Sequence, residues 1–110
     1  MILWDHGEGW NYFSIDRTND GDNISVANGE YGQALADICA AMGRRIDLVC
    51  FNACKMGMVE VDWVSRCYAD VTVHSELALW ALGYPYDQIL SWLGKNPEAS
   101  PAVLAQTIVE

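Results

Sequence analysis

Apolar residues follow two rhythms along this chain. Short, nearly unbroken apolar runs occupy Ile2 to Asp5, Asp47 to Asn52 and Val71 to His74, and each has the length and bounding turns of a buried strand. Between the first two runs, Tyr31, Ala34, Leu35, Ile38 and Met42 recur at helical spacing, and Gly43 follows as a C′ residue. After the second run, Met58, Val61, Val64 and Tyr68 give a second helix its apolar face. Pro85 marks a later helix start. Ser100 and Pro101 mark another, with Ser100 as N-cap and Pro101 at N1. Residues 7 to 29 carry Gly7, Gly9, Asn11, Asn19, Gly21, Asn23, Asn28 and Gly29 with little periodicity, and read as a long surface loop. Strands alternating with helices predict an α/β fold with a mostly parallel sheet, right-handed crossovers and a binding edge at the carboxyl ends of the strands.

That edge is where the reactive side chains fall. The first strand runs into His6-Gly7 and the second into Asn52-Ala53-Cys54. A free cysteine titrates near pH 8.5, so a thiol nucleophile needs an imidazole or a helix N-terminus beside it. His6 on an adjacent parallel strand supplies the first, and the helix that starts a few residues after Cys54 supplies the second. The backbone N–H groups of Gly7 and Cys54 are candidate donors to a tetrahedral oxyanion. His74, between Val73 and Ser75, reads as a structural histidine, Glu60 as part of a helix, and Trp80 as a loop residue able to wall a cleft.

Charge narrows the partners. A net charge of -9 disfavours nucleic acid and anionic lipid, both of which are held by Lys and Arg. No apolar run approaches the roughly 20 residues that span a bilayer, and no signal-like segment opens the chain, so it reads as soluble with its compartment open. Cys39, Cys50, Cys54 and Cys67 contain no C-x-x-C pair, which argues against structural zinc and predicts no metal site. All four read as thiols, with Cys39 and Cys67 as small core residues. Asp16 to Asp22 resembles the opening of a calcium loop, but its twelfth position is Ala27 where a bidentate Glu is required.

The segments Trp4-Asp5-His6-Gly7-Glu8-Gly9-Trp10 and Asn52-Ala53-Cys54-Lys55-Met56-Gly57-Met58-Val59-Glu60 resemble the two signatures of the clostripain-like peptidases, W-D-H-G-x-G-W and D-A-C-x-M-x-M-x-E. The likeness extends through Asp16-Arg17-Thr18, the Tyr31 to Met42 pattern, Ser75-Glu76 and Gly83-Tyr84-Pro85-Tyr86-Asp87. It implies a caspase-like three-layer fold, with residues 1–110 as one catalytic-core fragment that lacks elements at both ends. It implies a cysteine endopeptidase in which His6 is the base and Cys54 forms a thioester acyl-enzyme, with peptide or protein as substrate. Ser75 and Glu76 match a segment that lines the substrate cleft. Asn52 stands where the family has an Asp that resembles the floor of an Arg/Lys pocket, so a basic preference is expected to weaken here. No cofactor is required, and calcium is a candidate modulator. The alternative is a catalytically silent module of the same fold that binds peptide, a complementing chain or a second copy of itself.

Overall fold

The computed structural model describes residues 1–80 and 82–110. Its elements are β1 (Ile2–Trp4), β2 (Phe13–Asp16), β3 (Asp22–Ile24), α1 (Glu30–Met42), β4 (Ile46–Asn52), α2 (Val59–Ser65), β5 (Ala69–Val73), α3 (Tyr86–Lys95) and α4 (Pro101–Val109). Strands β1, β4 and β5 form a parallel sheet in the order β1-β4-β5, which sets β4 in the centre. A central parallel strand is covered on both faces, which is why its sequence is almost continuously apolar. Val49, Phe51 and Ala53 join a core with Tyr31 and Leu35 of α1 and Val61 of α2. Leu48 and Cys50 point the other way, onto Val73 and Ala105 of α4. The result is the expected α/β arrangement of helices on both sides of a parallel sheet.

The predicted caps form. Gly43 closes α1 in the left-handed region at φ 67°, its N–H donating to the Ala40 carbonyl. The Ser100 hydroxyl accepts from the Val103 N–H, with Pro101 opening α4. Helix α2 is shorter than its apolar spacing suggests and ends at Ser65. The Ser65 hydroxyl donates to the Val61 carbonyl and so accepts from Tyr31 at 2.8 Å, a buried bond linking α2 to α1. Burial pushes the Tyr31 hydroxyl up to about 12. Tyr68 still packs against the core, from the turn beyond the helix. Cys67 in the same turn is exposed, so the expectation that it is a core residue is corrected.

The expected loop over residues 7 to 29 is also corrected, because it contains the antiparallel hairpin β2–β3, paired Phe13 to Ile24 and Asp16 to Asp22. Its register slips between Phe13 and Ile15, and Ser14 sits at φ 57°. Such a bulge breaks the two-residue alternation that announces a strand. Phe13 is the anchor, with its ring 5.6 Å from those of both Tyr31 and Phe51. Strand β5 begins at Ala69, two residues ahead of the predicted start, because Ala69 pairs with Ile46 and Arg45 reaches over to Asp70 at 2.6 Å.

Candidate active site

The β1–β4 register builds the site. Ile2 lies opposite Cys50, Leu3 opposite Phe51 and Trp4 opposite Asn52. His6 and Cys54 each lie two residues beyond the last paired residues, Trp4 and Asn52, at the same carboxyl edge of the sheet. Both residues line one open cleft of about 320 Å³, together with Trp4, Asp5, Asn52, Leu79 and Trp80. The His6 side chain is exposed, and its backbone N–H donates to the Asp5 carboxylate at 2.6 Å. Trp80 stands at the rim, as a cleft wall would.

Cys54 is half-buried on a turn, where Lys55 adopts φ 59° and sends the chain back on itself. The expected helix contribution is not there. Helix α2 starts only at Val59, with Met58 as its N-cap and Glu60 and Asp62 in its first turn. A helix dipole acts within its terminal turn, so α2 does not reach the sulfur. Instead the Leu79 N–H donates to Cys54 Sγ at 3.4 Å.

Gly7 is pressed against the backbone of Cys54. A Cβ there would lie 2.6 Å from the Cys54 carbonyl oxygen and 2.9 Å from Met56 Sδ, so no larger residue fits. Gly7 bridges Phe13, but the bonds beside it run from Ser14 N–H to the His6 carbonyl and from Glu8 N–H to the Tyr12 carbonyl. Its own N–H is therefore left out of the ladder. Among the described residues neither the Gly7 nor the Cys54 N–H has a backbone acceptor outside the regular elements.

Asn52 is buried at the base of the cleft, on the sheet face shared by Cys50, and its amide donates to the Tyr86 hydroxyl at 2.7 Å. Gly83, at φ 69°, leaves room for that amide, which a Cβ would strike. Burial pushes the Tyr86 hydroxyl upward. Leu79, Gly83 and Tyr86 were not singled out as site residues from the sequence. The Gly83-Tyr84-Pro85-Tyr86 segment was legible as a helix start and as part of the family likeness but not as a partner of Asn52, although the need of a buried amide for a partner is a usable signal.

Ser75 and Glu76, expected to line the substrate cleft, are not among the residues that line this one. The Ser75 carbonyl accepts from Gly57 N–H at 2.9 Å and its hydroxyl accepts from Leu77 N–H at 3.1 Å. Glu76 borders a separate groove with Glu8, Trp10 and Lys55, where Lys55 pairs with Glu8 at 2.5 Å. His74 bonds Asp62 at 2.9 Å and ties the end of β5 to α2. The acidic 16–22 turn is bonded within itself. One Asp16 oxygen already accepts from both the N–H and the hydroxyl of Thr18, holding the carboxyl below its usual range. Among the described residues no three acidic, His or Cys groups converge.

The profile of the Clostripain family matches residues 1–110. A solved structure of a secreted C11 cysteine protease from Bacteroides thetaiotaomicron, in complex with an irreversible peptide inhibitor, is similar at TM-score 0.76 and 26% identity, over 97% of this chain and 29% of that one. An inactive zymogen C11 protease from Parabacteroides distasonis aligns at TM-score 0.48 and 26% identity, over 84% of this chain and 24% of that one. The chain thus spans less than a third of the length of the solved proteins it matches. No curated protein matches.

Proposed function

Because the chain belongs to the clostripain family, we propose that it is the catalytic core of a cysteine endopeptidase with His6 as base and Cys54 as nucleophile. What supports this reading is that His6 and Cys54, each two residues beyond the paired Trp4 and Asn52, line one cleft. His6 takes the thiol proton as sulfur attacks the peptide carbonyl, and the tetrahedral oxygen is met by the N–H groups of Gly7 and Cys54. Collapse breaks the C–N bond, His6 returns the proton to the departing amine, and a thioester remains. Water, deprotonated by His6, hydrolyses that thioester and regenerates the thiol. Asn52 contacts the substrate side chain next to the scissile bond, with reduced preference for Arg or Lys because it lacks the carboxylate. Ser75 and Glu76 contact more distant substrate residues.

A second reading, a peptide-binding or self-associating module without turnover, is favoured by one observation. The β1 side of the sheet borders an apolar groove of about 510 Å³ walled by Ile2, Leu48, Ile89, Leu93 and Leu104. Peptide hydrolysis and light scattering on the intact protein separate the two. The endopeptidase reading expects turnover that vanishes in Cys54→Ala. Peptide binding or dimerisation without turnover, unchanged in Cys54→Ala, supports the module and sinks the peptidase.

A further inference from the structure

We propose that the backbone N–H of Leu79 is the group that holds the Cys54 thiolate, in the place that a helix N-terminus takes in other thiol enzymes. The inference rests on Cys54 being the nucleophile, as read above.

The chain is built to deliver that N–H. After β5 the chain bends at Glu76 and Leu77 and passes alongside the turn that follows Cys54, in the opposite direction. The Gly57 N–H donates to the Ser75 carbonyl at 2.9 Å and the Lys55 N–H donates to the Leu77 carbonyl at 3.1 Å. Each step back along the turn is matched by a step forward along the partner. Two residues further on, Leu79 comes level with Ala53, and its N–H reaches the sulfur of the adjacent Cys54 at 3.4 Å. The left-handed Lys55 makes the reversal, and the Ser75 hydroxyl, accepting from Leu77 N–H at 3.1 Å, stiffens the start of the segment.

The two protonation states of the sulfur gain unequally. As a thiol, Cys54 has the Leu79 carbonyl as an acceptor only at 4.0 Å, a weak bond at best. As a thiolate it accepts a charge-assisted bond from the N–H, which is roughly twice as strong as a neutral one. A hydrogen bond to the charged form favours that form. Cys54 reactivity is thereby tied to the β5 exit segment instead of to α2.

The test removes one N–H. Leu79 is replaced in the intact protein by its α-hydroxy acid, which turns the amide into an ester and keeps both side chain and carbonyl. Leu79→Pro is the genetic counterpart and Leu79→Ala, which keeps the N–H, is the control. Iodoacetamide labelling of Cys54 is followed by mass spectrometry at about pH 6 and about pH 9.5. The ester and Pro forms should label about tenfold more slowly at the lower pH and match the parent at the higher one, while Ala matches it at both. A parent-like rate for the ester at low pH overturns the proposal, and so does an equal loss at both pH values, the mark of general distortion. Should Leu79→Pro fail to fold, the ester decides alone. Labelling reads the thiol without turnover, so the outcomes separate. A slowed ester in a protein that hydrolyses no peptide leaves this assignment standing and removes the endopeptidase reading, whereas full turnover with an unaffected ester does the reverse.

Discussion

The two histidines of this chain follow strands that end at the same edge of the sheet, and they meet opposite fates. His74, leaving β5, is drawn back onto Asp62 at 2.9 Å, where α2 supplies a carboxylate within reach. His6, leaving β1, is exposed and lines one open cleft with Cys54. An imidazole at a strand end is therefore not a catalytic group by position alone. What differs is whether a neighbouring element bonds the ring or leaves it on an open cleft. The same contrast holds for backbone. Beyond β5 the chain serves the site through carbonyl and N–H groups, while beyond β1 and β4 it serves through side chains.

The sharpest way to break this contrast is to remove each ring. His6→Ala should lower kcat/KM for peptide hydrolysis by roughly 10²–10⁴-fold, the usual share of a general base, with little change in thermal stability. His74→Ala should do the opposite, costing about 1–3 kcal/mol in denaturant titration, as expected when a partly buried bond to a charged group is lost, with hydrolysis retained. An exchange of these two outcomes would reverse the assignment. Gly7→Ala comes next. Its Cβ must displace the Cys54 carbonyl, now 2.6 Å away, and with it the proposed oxyanion donors, so kcat should fall about a hundredfold. A fully active Gly7→Ala protein would remove Gly7 from the mechanism.

Smaller effects probe the base of the cleft and the core. Asn52→Asp should raise discrimination for Arg over Gln substrates by about tenfold, since the Tyr86 hydroxyl, which accepts from the Asn52 amide, can rotate to donate to the new carboxylate while that carboxylate pairs with a guanidinium. If the parent already cleaves after Arg as selectively, Asn52 does not set specificity. The core makes a pH prediction of definite sign. Burial raises the Cys50 thiol from 9.0 to about 11 and the Tyr31 hydroxyl to about 12. Above pH 9 the unfolded chain releases protons that the folded chain retains, so stability must fall as pH rises from about 9 toward 12. Cys50→Ala should remove the lower part of that decline, and a flat alkaline profile in the parent would contradict the burial argument.

The strands and most helices were legible because their apolar positions repeat without interruption, as in β4 and α1. The proposed catalytic pair drew notice for a related reason, each member following an apolar run beside a small residue. The hairpin was not, because the bulge at Ser14 breaks alternation and a polar turn dominates its composition. The end of α2 was hidden by Tyr68, which keeps helical spacing while packing from a turn. Leu79 left no trace, since what it contributes is an N–H that every residue but proline carries, and only the tertiary pairing of the β5 exit with the Lys55 turn brings it to the sulfur. Tyr86 and Gly83 were visible as residues but not as neighbours of Asn52, which lies more than 30 residues away in sequence.

The pairing of His6 with Cys54 is tested most directly by alkylating the intact protein with iodoacetamide at about neutral pH and following all four cysteines by mass spectrometry. Cys54 should be labelled first, ahead of Cys67, which is more exposed, and well ahead of Cys39 and the buried Cys50. In His6→Ala the Cys54 rate should drop to that of Cys67, while His74→Ala leaves it unchanged. Uniform labelling of the exposed and half-buried thiols in the parent, or a Cys54 rate indifferent to His6→Ala, would contradict the dyad.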